Sequence, residues 1–228
     1  MPVHTRESLR SCLAEFTGTF FLVLAGCGAL VIDQIVPGQI THVGIALTFG
    51  LAVMAMIYAT GHLSGAHLNP AVTLGFAFCR HFAWKKILPY WLAQILGALA
   101  AALVLKGLFG NVGHLGTTLP QYGLWQTFFL EFFLTFFLMF VIMAVATDSR
   151  AVGEAAAIAI GGTVGMEALF AGPISGASMN PARSLGPALV SGTLEHLWVY
   201  LLAPLTGAVL GAFFYQLIKG DHQPKRFS

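Results

Sequence analysis

Long uncharged apolar runs alternate with short polar segments along the whole chain. Six such runs cover residues 16–32, 43–61, 87–105, 132–147, 155–166 and 197–218. An apolar helix of about 20 residues crosses the hydrocarbon core of a bilayer, and charged ends extend shorter runs by snorkelling. We therefore predict an all-α integral membrane protein with six transmembrane helices. The first run has no small-x-small cleavage site after it and is interpreted as a retained span.

Two nearly identical polar phrases interrupt this pattern. Residues 64–75 are SGAHLNPAVTLG and residues 175–186 are SGASMNPARSLG, a constant offset of 111 positions. Glu15 and Glu131 also sit in matching Glu-Phe pairs at the start of the first and fourth spans. Each half then holds three spans, an odd number, so the halves enter the membrane in opposite directions. The pattern predicts an inverted repeat with a permeation site at its centre.

This repeat divides one channel domain, residues 1–228, into four parts. The first half covers residues 1–108 and the connecting loop covers residues 109–123. The second half covers residues 124–218, and a cytoplasmic tail covers residues 219–228.

Each repeated phrase also contains a helix start followed by a short apolar stretch, over residues 72–79 and 185–190. Asn is a favoured N-cap and Pro a favoured first helical residue. Both stretches are too short to cross a bilayer, so we predict two re-entrant half-helices whose N-termini meet at mid-membrane. A lone Asn-Pro-Ala is a common turn signal, but two copies at matching places favour a functional site.

Loop backbone at this depth is tolerated where it lines a polar cavity. Asn69 and Asn180 are expected to cap their half-helices with the side-chain oxygen and to offer their NH₂ groups to a permeant. The two positive helix ends repel cations and protons. The backbone carbonyls expected to line the pore are those of Gly65, Ala66, His67, Leu68, Gly176 and Ser178.

The charges are few and unevenly placed. The chain is 57% hydrophobic and only 9% charged, with a net charge of +2, which is too small to indicate a nucleic-acid partner. Apart from Lys106 and Arg183, the basic residues flank the spans on one side, and the positive-inside rule then puts both termini in the cytoplasm. Membrane lipid is the expected surrounding. The predicted location is the cell (plasma or inner) membrane.

The other polar residues indicate no enzyme. We expect Glu15 and Glu131 to accept hydrogen bonds from the re-entrant loops, because an unpaired carboxylate inside a span is costly. A proton relay through these two residues, in a secondary transporter, is the alternative. The role of Glu167 stays open. The spacing of His, Cys and carboxylates matches no metal site or catalytic motif, so we expect no cofactor, no metal and no catalytic residue.

The two phrases, Asn69-Pro70-Ala71 and Asn180-Pro181-Ala182-Arg183, together with Glu15 and Glu131, resemble the aquaporin (major intrinsic protein) family over essentially the whole chain. The resemblance implies six helices plus two half-helices, a pore in each protomer, and a homotetramer. It also implies a selectivity filter of one aromatic residue, one arginine and two variable positions. Counted from the motifs, the filter falls on Phe49, Ala168, Ala177 and Arg183.

Within the family, residues 61–73, 147–154 and 170–189 and the pair Tyr200-Leu201 are similar to nodulin-26-like proteins. That branch implies passage of water with glycerol, urea or metalloid hydroxides such as boric and arsenous acid. Ala168, where water-selective members carry His, implies a wider filter. Ser184 replaces the Asp of strict glycerol facilitators, and Phe49 replaces the Trp often seen in this branch. A water-selective channel is the alternative.

Overall fold

The computed structural model describes residues 3–147 and 155–219, with side chains from Glu7 onward. Its regular structure is helical throughout this part of the chain. The eight α-helices are α1 (Val3–Ile35), α2 (Thr41–Ser64), α3 (Pro70–Phe78), α4 (Ile87–Phe109), α5 (Leu124–Thr147), α6 (Ala156–Ser175), α7 (Pro181–Ser191) and α8 (Leu197–Lys219). Nearly all of the predicted tail, 219–228, and of the segment 147–154 lies outside the described residues.

Among residues 3–147 and 155–219, six helices (α1, α2, α4, α5, α6 and α8) are long and apolar enough to span a membrane, which confirms the predicted count. The uncharged run that predicted the fifth span stops at Met166, and α6 continues past it to Ser175. Glu167 ended the uncharged run in the sequence, yet this side chain is only 3% exposed. Its burial allows the helix to carry a carboxyl group through the membrane without presenting it to lipid.

Large apolar side chains cover the outside of the helix bundle. Phe129, Phe133 and Phe137 recur every four residues along α5, and each is more than half exposed. Residues spaced by four lie on one face of a helix, so they form an apolar stripe. Meanwhile Glu15, Glu131 and Arg183 are at most 2% exposed. Apolar side chains on the outside and charged side chains on the inside are the reverse of the arrangement in a water-soluble protein, as expected for a protein surrounded by lipid hydrocarbon.

The two halves interlock through the half-helices. α3 of the first half packs against α8 of the second, and α7 of the second half packs against α4 of the first. Within each half, a glycine lets the first and third long helices approach closely. A Cβ at Gly97 would collide with the carbonyl oxygen of Phe16, and one at Gly207 would collide with that of Phe132. Small residues at such crossings are the usual means by which membrane helices come into close contact.

Because the chain crosses the membrane six times, an even number, the start of α1 and the end of α8 lie on the same side of the membrane. We call this the terminal side and the opposite one the far side. The segment between α4 and α5 lies on the far side and contains an irregular turn, Val112–Gly116, with left-handed backbone at Gly113, His114 and Leu115. This turn packs against α1 and α7.

Candidate pore

The two Asn-Pro-Ala motifs start the half-helices, and each asparagine caps its own helix. α3 begins at Pro70 and α7 at Pro181. Asn69 Oδ1 accepts a hydrogen bond from Ala71 N at 2.8 Å, and Asn180 Oδ1 accepts one from Ala182 N at 3.0 Å. The side-chain oxygens thus satisfy backbone donors that a helix N-terminus otherwise leaves unpaired.

The asparagine amides also bind the opposite loop, which the sequence alone did not predict. Asn69 Nδ2 donates to the carbonyl of Met179 at 2.7 Å, and Asn180 Nδ2 donates to that of Leu68 at 2.8 Å. An NH₂ group has two hydrogens, so each asparagine keeps one donor beyond this bond. The Leu68 carbonyl, one of those expected to line the pore, thus accepts a hydrogen bond from the other half of the protein.

Both loops before the half-helices contain strained backbone at equivalent positions. Ala66 and Leu68 have φ of 46° and 53°, and Ala177 and Met179 have φ of 41° and 54°. Left-handed backbone costs a non-glycine residue roughly 1–2 kcal/mol. Strain of this kind persists only where the surroundings fix the conformation, so the loops need strong anchors.

Glu15 is the anchor of the first loop. Its two carboxylate oxygens accept hydrogen bonds from His67 N at 2.9 Å and Leu68 N at 2.7 Å. Ser64 Oγ and Gln94 Nε2 also donate to it, at 2.7 and 2.8 Å. The carboxylate is therefore fully engaged in holding the loop, although it is completely buried.

Glu131 occupies the equivalent place in the second half. Its oxygens accept hydrogen bonds from Ser178 N at 2.8 Å and Met179 N at 2.9 Å. Glu131 is also completely buried. The two loops are thus held in the same way, each by a carboxylate on the first long helix of its own half.

A serine and a tyrosine complete each anchor, and neither pair was identified as functional from the sequence. Ser64 and Ser175 accept hydrogen bonds from the backbone N–H two residues later, each at 3.0 Å. Tyr90 and Tyr200 donate from their hydroxyls to the carbonyls of those serines at 2.9 and 2.8 Å. The serines open the two repeated phrases, and the tyrosines are 110 residues apart, so a comparison of the halves could have found both pairs.

Two cavities follow one another through the protein. The terminal-side cavity, about 120 Å³, is lined by both asparagines and by both re-entrant loops. The far-side cavity, about 230 Å³, lies near the first turns of α2 and the 112–116 turn. Within the described part of the chain, Phe49 and Arg183 are the two residues that line both cavities. They therefore mark the junction between the cavities.

The junction combines an aromatic ring with a buried guanidinium. Arg183 Cζ lies 4.9 Å from the centroid of the Phe49 ring, a distance at which a cation and an aromatic face attract each other. Arg183 Nη1 donates to the Gly116 carbonyl at 2.7 Å. Its Nε is buried and has no hydrogen-bond partner within the described residues.

The other predicted filter residues lie on either side of this junction. Ala168 lines the far-side cavity and Ala177 lines the terminal-side cavity. Of the residues predicted to supply carbonyls, Gly65, Ala66, His67, Leu68 and Ser178 line the terminal-side cavity, whereas Gly176 lines the far-side one. These filter and carbonyl positions therefore line two neighbouring cavities, which share Phe49 and Arg183.

Glu167 lines neither cavity. Its Oε2 is buried and has no hydrogen-bond partner in the described part of the chain. On α6, Ile160, Val164 and Ala168 line the cavities, so their helical neighbour Glu167 points to a flank of the helix. No cluster of His, Cys, Asp and Glu suited to a metal ion occurs within residues 3–147 and 155–219.

Comparison with known proteins agrees with this architecture. The sequence profile of the family described as Major intrinsic protein matches residues 3–215. The chain belongs to this family. Members of the major intrinsic protein family are channels and not enzymes, and the chain is a multi-pass membrane protein. The family resemblance predicted from the two Asn-Pro-Ala phrases is thereby confirmed.

Similar sequences also support the resemblance to the nodulin-26-like branch. Aquaporin NIP1-1 of Oryza sativa subsp. japonica is 53% identical over 219 residues, which is 96% of this chain and 77% of that protein. Aquaporin NIP6-1 of Arabidopsis thaliana is 49% identical over 215 residues, 93% of this chain and 70% of that protein. This major intrinsic protein is therefore similar to several nodulin-26-like intrinsic proteins over most of its length.

A solved structure shares the fold. The aquaglyceroporin from Plasmodium falciparum superimposes with a TM-score of 0.81 at 30% identity, over 91% of this chain and 95% of that one. The aquaporin fold predicted from the sequence is confirmed. Together with the family assignment, these relatives support a channel for small neutral solutes.

Proposed function

We propose that this protein is a passive channel that passes water together with small uncharged solutes such as glycerol, urea or metalloid hydroxides. The observation that carries the proposal is the composition of the constriction. Phe49 and Arg183 form the junction of the two cavities, while Ala168 and Ala177 beside it are single methyl groups. The small alanine side chains leave space for a solute larger than water. The Phe49 ring contacts the carbon atoms of that solute, and the Arg183 guanidinium on the other side binds its hydroxyl groups.

Ion exclusion follows from the charge around the same path. The N-termini of α3 and α7 face each other at the asparagines, and each carries about half a positive charge. The fixed positive charge of Arg183 lies next to them along the passage. Cations and protons therefore meet a positive potential at two successive points, whereas a neutral solute exchanges hydrogen bonds with the asparagine amides and loop carbonyls.

The proposal includes the assembly and its orientation. The terminal side faces the cytoplasm of the cell membrane, in line with the placement of the basic residues. The two halves, residues 1–108 and 124–218, form one channel domain joined by the loop at 109–123. The pores assemble as a homotetramer, whose neighbouring protomers and lipids cover apolar stripes such as that of Phe129, Phe133 and Phe137.

Proteoliposomes with purified protein test the solute. Stopped-flow light scattering is recorded with water, glycerol, urea and arsenous acid gradients for the wild type, Ala168→His and Ala168→Val. The imidazole narrows the passage and adds a polar group, so glycerol flux should fall while water flux is retained. Ala168→Val is the matched control, which adds bulk without polarity and should reduce both fluxes. A wild type that conducts water but no larger solute would replace this proposal with a water-selective channel.

A further inference from the structure

Gly26 on α1 lies directly against the Phe49 ring. A Cβ atom at position 26 would lie less than 3.0 Å from three carbons of that ring, which is closer than Cβ atoms approach other atoms in proteins. Phe49 thus occupies a notch in α1 that exists only because residue 26 has no side chain. We propose that Gly26 is a specificity-determining residue, which sets the width of the constriction by letting the Phe49 ring withdraw into α1.

The backbone at position 26 does not itself require glycine. Gly26 lies inside the regular helix α1, and its φ is outside the left-handed range. Glycine is unfavourable within a helix compared with alanine. The space needed by the Phe49 ring therefore accounts for this residue, because the conformation of the chain does not.

The helix that carries Phe49 cannot retreat to relieve a collision. The next residue, Gly50, packs against the backbone of α6, where an added Cβ would lie 2.6 Å from the Gly161 carbonyl oxygen and 3.0 Å from Gly165 Cα. α2 is therefore held between α1 and α6 at this level. A methyl group at position 26 must move the Phe49 side chain and not the helix.

The open direction for that movement is the passage. Phe49 lines both cavities, and Arg183 lies over the face of its ring. The ring would have to shift by on the order of 1 Å before its carbons reach ordinary van der Waals separation from the new methyl group. Such a shift narrows the gap between ring and guanidinium, which affects a solute the size of glycerol more than it affects water.

The test compares Gly26→Ala with Gly28→Ala in proteoliposomes, and it rests on the proposed passage of glycerol. Gly28 lies on the same helix, where an added Cβ would make only one contact, at 3.4 Å with Leu105 Cδ2. Water and glycerol permeabilities are measured together with the thermal stability in detergent. One methylene in an apolar site discriminates between solutes by about tenfold or more, so we expect Gly26→Ala to lower the glycerol-to-water permeability ratio by about tenfold. Gly28→Ala should keep the wild-type ratio.

A second-site variant separates narrowing from misfolding. The double variant Gly26→Ala with Phe49→Leu removes the ring that the methyl group meets, and it should regain the thermal stability and the glycerol flux that the single variant loses. An unchanged glycerol-to-water ratio in Gly26→Ala would overturn the proposal, as would a double variant that stays impaired. A wild type that passes neither glycerol nor any other solute larger than water contradicts the proposed function instead. If only glycerol fails to pass, urea replaces it as the larger solute in the same comparison.

Discussion

Replacing Glu131 with glutamine tests how the second re-entrant loop is held. In the wild type both carboxylate oxygens accept backbone hydrogen bonds, from Ser178 N and Met179 N at 2.8 and 2.9 Å. Glutamine keeps one acceptor oxygen, and its NH₂ group faces the second N–H as another donor. At least one buried N–H is then left without an acceptor.

The expected loss can be estimated from these contacts. A buried donor without a partner costs about 1–3 kcal/mol, and a hydrogen bond to a charged group contributes about 1.5–3 kcal/mol. We therefore expect Glu131→Gln to lower the free energy of unfolding by about 2–4 kcal/mol. For a chain of this length that corresponds to a decrease in Tm of roughly 4–16 °C. Thermal unfolding of the detergent-solubilised protein measures it.

Thr127 provides the matched control on the same helix. It lies one turn before Glu131, and its hydroxyl is buried with no hydrogen-bond partner in the described residues. Thr127→Val keeps the shape of the side chain and removes an unsatisfied polar atom, so the Tm should stay the same or rise. If Glu131→Gln melts like the wild type, or if Thr127→Val causes an equal loss, the carboxylate does not hold the loop as described.

Two further variants examine the central asparagine and the unpaired carboxyl group. Asn180→Asp keeps the cap on α7, but it removes the donor to the Leu68 carbonyl and adds a negative charge between the two positive helix ends. Cation conductance across planar bilayers should therefore rise from an undetectable wild-type level. A variant that excludes cations as well as the wild type does would contradict the electrostatic barrier. Glu167→Leu removes a buried oxygen that has no hydrogen-bond partner in the described residues. Because an unsatisfied buried polar group costs about 1–3 kcal/mol, the Tm should increase. A lower Tm would show that the carboxyl group makes a stabilising contact.

The course of the chain through the membrane could be predicted from the sequence because hydrocarbon restricts the possible structures. Six apolar runs gave six spans, and Asn followed by Pro predicted the start of each half-helix. The uncharged run stopped at Met166, short of the end of α6 at Ser175, because hydropathy treats Glu167 as exposed and cannot detect its burial. Hydropathy assigns the same value to a glutamate buried inside a helix bundle and to one exposed at the end of a helix.

The contacts across the site could not be predicted from either half alone. The bonds from Asn69 to Met179 and from Asn180 to Leu68 join residues 110 and 112 positions apart, and they arise only when the inverted halves meet. The notch at Gly26 depends on the rotamer of Phe49 and on the distance between α1 and α2. These features depend on three-dimensional packing, for which a sequence motif carries no signal.

The passive nature of transport is the central claim, and one measurement tests it most directly. Glycerol uptake into proteoliposomes is recorded with and without an imposed pH gradient, over a wide range of glycerol concentrations. A channel predicts uptake that rises in proportion to concentration, stops at equal concentrations inside and outside, and is the same with and without the gradient. Saturation at low concentration together with accumulation driven by the pH gradient would contradict the channel and support a proton-coupled transporter acting through Glu15 or Glu131.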